Sequence, residues 1–385
     1  DLTSADLVEA NLTSADLRNV NLSEAYLIDA NFSSAYLRGS DLSEKNLENV
    51  DFSQADIGEA NLSNANLSGA SFSKAILFDA DFSQADFFST EFSEAYLRKA
   101  DFSNTHVSSA NFSEADLKYA NFTGSILSGA NFTSARLSET YLQGAVLKYA
   151  DLKHAELKYA DLRDSELLEA DLRNTDLRYA DIKYSNLKYA ELTGADLRNA
   201  DLKEARMSDA EFIDADLRNA DLKEAKMSDA EFIEADLRNG DMRDAEFTEA
   251  DLRNGDLRDA EFTGADFRGA SLLRIDFSDA NISKANASGA DLSYADLTNA
   301  ELTDIRLSNA KLLNTTFEQA NMTRANLIDA DLTEAALHGA VLTDIQINTE
   351  TTFDSHYTGG SDTNIEKAAW TWAQIEEISR QNALP

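Results

Sequence analysis

The side chains best suited to chemistry in this 385-residue chain are carboxylates that recur every twenty residues. Paired carboxylates can act as acid and base, and clustered oxygen ligands can hold hard cations. One series consists of Glu156, Asp176, Asp196, Asp216, Asp236, Asp256, Asp276 and Asp296. A second series, from Asp151 to Asp251, is expected on the opposite edge of the fold. Because the spacing is even and the repeat has no insertion that could form a cleft, we predict acidic ladders on a solvated edge. Neither a catalytic residue nor a metal site is expected there.

These two ladders should repel themselves. Carboxylates stacked about 4.8 Å apart repel by roughly 0.9 kcal/mol per neighbouring pair at the dielectric constant of water. We therefore expect the ladders to destabilise the fold at low salt. Molar salt shortens the Debye length to about 3 Å and should relieve most of that repulsion.

Other reactive side chains are scarce. Cysteine is absent, which excludes disulfides, thiolate metal sites and cysteine nucleophiles. The four histidines share no ligand-like spacing; they are His106, His154, His338 and His356. The sequence therefore predicts a non-enzymatic protein without a cofactor.

The chain is strongly acidic, with 70 Asp and Glu against 34 Lys and Arg and a net charge of −36. Nucleic acids and anionic membranes are polyanions, which argues against direct nucleic-acid binding and against membrane contact by this segment. Three interpretations remain: adaptation to high salt, mimicry of a polyanion, and binding of a basic partner. No apolar run approaches the roughly 20 residues that span a bilayer, and the N-terminal residues lack a signal segment. A soluble, cytoplasmic protein is expected.

A period of five residues organises almost the whole chain. With few exceptions, Leu or Phe falls at positions 2, 7, 12, 17 and onward to about 347, and a small residue, usually Ala, falls at 5, 10, 15 and onward. Five residues fit neither the α-helical repeat nor the alternation of a flat strand. Only a chain that turns once per pentad keeps every Leu on one side. The period therefore predicts a closed coil with Leu inside and the small residue in its wall.

The number of pentads in one coil follows from longer periods. Residues 196–215 and 216–235 are nearly identical, which suggests a unit of twenty. Phenylalanine recurs at the same interval, at Phe32, Phe52, Phe72, Phe92, Phe112 and Phe132. Residues 235–249 and 250–264 form a fifteen-residue duplication instead, but duplication by whole pentads need not respect coils. We therefore predict a square coil of four pentads.

The repeat resembles that of the pentapeptide-repeat family. The stretches Ala195-Asp-Leu-Arg-Asn and Ala215-Asp-Leu-Arg-Asn follow its A(D/N)LXX pattern. The resemblance implies an all-β fold, a right-handed quadrilateral β-helix of about seventeen coils over residues 1–350. The acidic repeats and the short tail also resemble pentapeptide-repeat proteins of salt-loving archaea. In some of those the repeats precede membrane helices of ion-channel type, so this chain is expected to be the repeat region of a larger halophilic protein.

The pattern changes in residues 351–385. After Gly359 and Gly360, Thr363 and Glu366 form a capping box, and apolar residues follow at helical spacing. An amphipathic helix is predicted over 364–382, with Thr363, Glu366, Trp370, Trp372 and Ile375 as its characteristic residues. It is expected to cover the last open coil as a lid. The alternative is a docking or dimerisation helix, and a homodimer could then form through one end of the solenoid.

Residues 116–190 are nearly neutral and rich in adjacent basic and tyrosine residues. We call the following ten residues the belt: Lys118, Tyr119, Lys148, Tyr149, Lys158, Tyr159, Arg178, Tyr179, Lys188 and Tyr189. With a twenty-residue coil, the pairs at 118, 158 and 178 share one face, and those at 148 and 188 lie opposite. The belt is either a solvated surface of Lys stems on Tyr rings or a partner-binding surface, since Tyr and Arg are favoured in interfaces.

One residue breaks the rule for small positions. Lys45 stands where nearly every other pentad has Ala or another small side chain. We expect its aliphatic stem to lie in the wall and its ammonium group to reach solvent.

The sequence thus predicts a structural or interaction scaffold, a rigid acidic rod that presents a surface to a protein partner of unknown identity. Two alternatives come from the resemblance. Some family members resemble B-DNA in width and charge and bind type II topoisomerases, and others are soluble regulatory regions of channel-type membrane proteins.

Overall fold

The computed structural model of the protein describes residues 1–348 and 350–353. The chain divides into two units, Asp1–Asp196 (unit 1) and Leu197–Pro385 (unit 2). Two regular strands occur in the described residues, β1 (Asp331–Leu332) and β2 (Thr352–Phe353), and they pair in parallel. The remaining sheet pairing consists of isolated parallel bridges, about one per pentad.

The bridges join residues that are twenty positions apart. In unit 1 they run from Asp6↔Tyr26 to Asp176↔Asp196, and in unit 2 from Asp201↔Asp221 to Asn326↔Gln346. One coil is therefore four pentads, which confirms the interval predicted from the phenylalanines. The fifteen-residue duplication leaves this register unchanged. We number the four faces of a coil by pentad, so that the first-pentad face contains residues 1–5, 21–25 and onward.

Three backbone hydrogen bonds per pentad hold successive coils together. The second residue donates to the carbonyl nineteen positions later, as from Leu217 to Asp236 at 2.7 Å. The fourth residue does the same, as from Asn219 to Arg238 at 3.0 Å. The first residue of the next coil donates back, as from Asp236 to Ala215 at 3.0 Å. Buried backbone groups are thereby satisfied without long strands.

Each pentad ends in a tight turn that explains the remaining repeat positions. The fifth residue donates to the second, as from Ala220 to Leu217 at 3.0 Å, and the fourth has a positive φ at every pentad from 4 to 344. This combination is characteristic of a type II turn. The Asp or Asn at the first position accepts a hydrogen bond from the third backbone N–H, as Asp216 does from Arg218 at 3.2 Å. The acidic residue of the repeat is therefore a structural element of the turn.

The core consists of the second and fifth residues of the pentads. Leu or Phe and the small residue are almost completely buried, apart from the first coil. On the third-pentad face Phe92, Phe112 and Phe132 stack with centroids 4.8 and 4.9 Å apart. A second column, which contains Phe102 and Phe122, meets the first edge-on. The predicted aromatic ladder is confirmed, with a second one opposite it.

The register changes at the end of the described chain. The pairing of β1 with β2 joins Asp331 to Thr352, an offset of twenty-one instead of twenty. The predicted cap helix, with Thr363, Glu366, Trp370, Trp372 and Ile375, lies outside the described residues. The domain boundary near 350 stays a prediction. Residues 1–348 and 350–353 contain no helix that could span a bilayer.

The turn geometry leads to a stability prediction. Asn219 has a φ of 59°, so Asn219→Val should destabilise unit 2 by about 1–2 kcal/mol, because β-branched residues are disfavoured there. Asn219→Gly should be close to neutral. The control is Thr248→Val, at a third position without positive φ. Urea unfolding measures all three, and an equal loss for both valine variants would contradict the turn assignment.

Candidate functional site

One face of unit 1 differs from the other three in charge. It is the fourth-pentad face, formed by residues 16–20, 36–40 and onward to 176–180. This face carries eight acidic and eight basic side chains, whereas the remainder of Asp1–Asp196 carries 24 acidic and eight basic ones. An uncharged protein surface could therefore approach this face without meeting the acidic excess of the unit.

The same face exposes large apolar side chains. Backbone bridges connect Tyr36 through Asp56 to Ile76 and Tyr96, so these first-position side chains follow one another along the face. All three of the apolar side chains are exposed. Aromatic residues exposed in a contiguous row are characteristic of protein interfaces.

A phenylalanine ring lies beside this row on the backbone of a glycine. A Cβ atom at Gly58 would stand 2.8 Å from the ring of Phe78, so the absence of a side chain makes room for it. The guanidinium carbon of Arg38 lies 4.7 Å from the ring centroid. Arg38 also pairs with Glu59 at 2.6 Å. Gly58, Phe78 and Arg38 thus form a locally ordered stack.

A buried carboxylate fixes two further arginines of this face. The Asp116 side chain is only 9% exposed. Its Oδ2 accepts hydrogen bonds from Arg98 Nε at 2.7 Å and from Arg136 Nη1 at 3.3 Å. Because both guanidinium groups share one carboxylate, their planes are held in place before any partner arrives.

Six of the ten belt residues lie on the fourth-pentad face. Tyr159 and Tyr179 stack with centroids 5.0 Å apart, and Lys158 Nζ lies 4.9 Å from the Tyr159 ring centroid. Lys118 Nζ lies 4.8 Å from the Tyr119 centroid. Hydrogen bonds to Tyr119 and then to Glu139 raise the pKa of Lys118 above its usual value. These contacts place basic side chains on tyrosine rings, as expected.

The other four belt residues lie on the opposite, second-pentad face. Lys188 Nζ lies 4.7 Å from the Tyr189 ring centroid, and Lys148 Nζ lies 3.9 Å from Glu166 Oε2. Tyr149 and Tyr189 are exposed there. The belt is therefore two separate surfaces, and only the one at 118, 158 and 178 continues into the apolar row.

Sequence reasoning missed the apolar row and its arginines. The residues concerned are Tyr36, Arg38, Ile76, Phe78, Tyr96 and Arg98. They sit far apart in sequence, among acidic pentads, so no local composition marks them. Aligning the chain in rows of twenty would have brought Tyr36, Ile76 and Tyr96 into one column and the other three residues into a second column of the same face.

Within each unit the first acidic ladder is stacked as predicted, and arginine side chains lie between its carboxylates. In unit 1, Arg178 lies between Asp176 at 2.6 Å and Asp196 at 3.5 Å. In unit 2, Arg218 lies between Asp216 at 2.6 Å and Asp236 at 3.3 Å. Arg238 and Arg258 continue this alternation to Asp256 and Asp276.

The expected self-repulsion of this ladder is therefore offset by arginine. The third residue of each of these pentads is Arg, and its guanidinium group reaches the carboxylates of its own and the next coil. Asp276 and Asp296 also accept hydrogen bonds from the hydroxyl groups of Ser278 and Thr298. In these two pentads the third residue carries a hydroxyl group in place of the guanidinium group.

The second acidic ladder is on a neighbouring face, not on the opposite edge. Asp151 and Glu156 are one pentad apart, so they belong to the third- and fourth-pentad faces. In this ladder Lys153 pairs with Asp151 at 3.6 Å and with Asp171 at 2.8 Å. The expectation was wrong because opposite faces are ten residues apart in a four-pentad coil.

Arginine also sets the ionisation of the ladder carboxylates. Partial burial opposes the charge on Asp216, but the Arg218 side chain and backbone N–H outweigh it and hold the pKa of Asp216 below its usual value. Asp256 follows the same pattern with Arg258, and its pKa is also lowered. Among residues 1–348 and 350–353, no cluster of His, Asp and Glu is arranged to hold a metal ion.

Comparison with protein families gives a match over most of the chain. The family model described as Pentapeptide repeats matches eight segments between residues 5 and 69 and between residues 125 and 339. A model described as Pentapeptide repeat region matches residues 59–132. No curated protein matches the chain significantly.

Several solved structures are similar to parts of the chain. HetL, a pentapeptide repeat protein of the cyanobacterium Nostoc involved in heterocyst differentiation regulation, is 31% identical; the match covers 50% of this chain and 87% of HetL, with a TM-score of 0.49. A pentapeptide repeat protein of the Arabidopsis thaliana thylakoid lumen is 35% identical over 23% of this chain and 63% of its own, with a TM-score of 0.23. The plasmid-mediated fluoroquinolone resistance protein QnrB1 is 20% identical over 49% of this chain and 93% of its own, with a TM-score of 0.25.

The arginine pairs predict a pH-dependent stability. The lowered pKa of Asp216 means that its pairing stabilises the fold above the unfolded value of about 3.9 and is lost as the pH falls through the folded value. Arg218→Gln should therefore lower stability at pH 7 by up to about 1 kcal/mol, and the difference from wild type should shrink toward pH 2. Arg274→Gln, which removes the same charge beside Tyr294, is the control. Urea unfolding across this pH range measures the difference, and a pH-independent effect of Arg218→Gln would contradict the pairing.

Proposed function

The chain belongs to the pentapeptide repeat family, whose members fold as right-handed quadrilateral β-helices, and from that premise we propose that it is a protein-binding scaffold. The observation that carries the proposal is the fourth-pentad face of unit 1. It is neutral, exposes aromatic residues and holds arginines in fixed positions, within an acidic unit.

This face combines exposed aromatic residues with arginines. Tyr, Phe and Arg are enriched where proteins bind one another. Ile76, Phe78 and Tyr96 lie in two neighbouring coils, and Tyr36 lies on the same face two coils before Ile76. The side chains that would bury most area in a complex therefore share one face.

The face is also organised before binding. Asp116 orients Arg98 and Arg136, and the Tyr159 and Tyr179 rings support each other and Lys158. Binding then costs less side-chain entropy than it would for free Lys and Arg side chains. The other belt residues, Lys148, Tyr149, Lys188 and Tyr189, lie on the opposite face and are not part of this proposed surface.

The acidity of unit 2 favours a second candidate function, mimicry of a polyanion toward a type II topoisomerase. Residues 197–350 carry 33 acidic and 16 basic side chains. Even after the Arg–Asp pairs are taken into account, this excess leaves a strong negative field around the unit. The candidate would require inhibition of gyrase supercoiling at micromolar protein, beyond that given by an unrelated polyanion of equal charge.

Photo-crosslinking from single positions tests the scaffold proposal. Benzoylphenylalanine replaces Tyr96 or Tyr159 on the fourth-pentad face, and Tyr149 or Tyr294 elsewhere, in cells that make the protein. The four positions form matched pairs, since Tyr96 and Tyr149 are 57% and 58% exposed and Tyr159 and Tyr294 are 51% and 50% exposed. We expect positions 96 and 159 to capture the same polypeptide and positions 149 and 294 to capture none of it.

A triple variant separates specific capture from proximity. Tyr36→Ser with Tyr96→Ser and Tyr179→Ser should reduce crosslinking from position 159 at least about tenfold, because buried aromatic contacts dominate binding energy. Equal yields from all four positions, or capture that survives the triple variant, would overturn the assignment of this face. Capture of a second copy of the chain would assign the face to self-association.

A further inference from the structure

Two faces of unit 1 are separated between the coil of residues 21–40 and the coil of residues 41–60. A cleft of about 930 Å³ lies there, lined by residues of 19–28 and 39–46. The bridges expected at positions 21 and 41 and at 26 and 46 are missing, although all these residues are described. On the first-pentad face, Leu2 of the preceding coil donates to Asn21 at 2.9 Å and Leu42 donates to Asn61 of the following coil at 2.8 Å.

The opening leaves backbone groups without their usual ladder partners. The absent hydrogen bonds are Leu22 to Asp41, Glu24 to Ser43, Leu27 to Asn46, Asp41 to Val20 and Asn46 to Ala25. The gap is local, because Leu7 donates to Tyr26 at 2.9 Å and Leu47 donates to Asn66 at 2.8 Å. Two facing edges of the cleft therefore both present unused N–H and C=O groups.

Lys45 lies at the opening. It occupies a fifth position between Ala25 and Ala65, where every wall residue of the column is otherwise small. Ala25 and Ala65 make the turn hydrogen bond of their pentads, at 3.0 and 3.2 Å, whereas the Lys45 N–H does not donate to Leu42. The sequence suggested that Lys45 reaches solvent from an intact wall. In the structure its side chain is half-buried, and the wall is separated at this position.

A second observation points to an occupant. The Oγ of Ser40, which lines the cleft, is buried and has no hydrogen-bond partner, in a residue that is 7% exposed. Buried hydroxyl groups are ordinarily satisfied, since leaving one unpaired is unfavourable. Ser40 and the five open backbone positions together form a polar site without a partner in this part of the structure.

We propose that this cleft binds an extended, positively charged peptide segment of a partner protein as an added strand. Facing rows of donors and acceptors are what an inserted strand pairs with on both of its edges. The lining contains three carboxylates, Glu24, Asp41 and Glu44, against the single ammonium group of Lys45, which selects for a basic peptide. The exposed ring of Tyr26 offers an apolar contact for a side chain of that strand.

Fluorescence anisotropy with a defined probe tests the proposal. The probe is a labelled, end-blocked heptapeptide of alternating Lys and Val, measured against the whole chain at about 0.15 M salt. We expect saturable binding of one peptide per chain. The same peptide with three alternate backbone amides methylated keeps its charge but should bind roughly 100-fold more weakly. A version with Glu in place of Lys should not bind.

The matched control is a variant in which the ladder between the two coils is expected to close. Lys45→Ala should allow the ladder to close, abolish binding of the probe, and slow amide exchange at Leu22, Glu24 and Leu27 by at least about tenfold. Lys74→Ala, which removes a lysine from an exposed turn, should leave binding and exchange unchanged. The proposal is overturned if the methylated peptide binds as well as the parent, if Lys45→Ala still binds it, or if the parent does not bind.

Discussion

The parallel hydrogen bond between a residue and the carbonyl nineteen positions later is the interaction on which the rest of this structure depends. It repeats at nearly every pentad within each unit and makes residues twenty apart direct neighbours. The surface is therefore a set of columns, and the character of a face is set by residues that are distant in sequence. The positions of the buried residues, the charged residues and the exposed aromatic residues all depend on this twenty-residue register.

In this register the first-position carboxylates of an acidic repeat are stacked and would repel one another without a compensating charge. Asp or Asn is favoured at the first position because its side chain accepts a hydrogen bond within the turn, and the ladder then places these groups one above another. Arginine at the third position resolves this conflict, because one guanidinium group bridges carboxylates of two coils. The repeated Asp residues thus have a structural role in the turns, and arginines of the same column offset part of their charge.

The sequence was sufficient for everything that depends on a regular period. The pentad predicted the buried Leu and Phe, and the spacing of Phe92, Phe112 and Phe132 predicted the coil. It could not show the positive φ of the fourth residue, since Asn, Glu, Lys and Tyr all stand there. The row from Tyr36 to Tyr96 and the cleft at Lys45 also escaped it, because each requires contacts between coils. The cap residues around Trp370 and Trp372 lie outside the described residues.

Paired spin labels measure the coil register most directly, and the absence of cysteine makes labelling specific. Labels at Ser278→Cys and Thr298→Cys are twenty residues apart on one face, and labels at Ser283→Cys and Thr298→Cys are fifteen apart on neighbouring faces. If residues twenty apart are stacked about 4.8 Å from each other, the first pair must show strong spin exchange and dipolar broadening. The second pair must give a much less broadened spectrum. Stronger coupling in the 283 and 298 pair, or none in the 278 and 298 pair, would contradict the four-pentad coil.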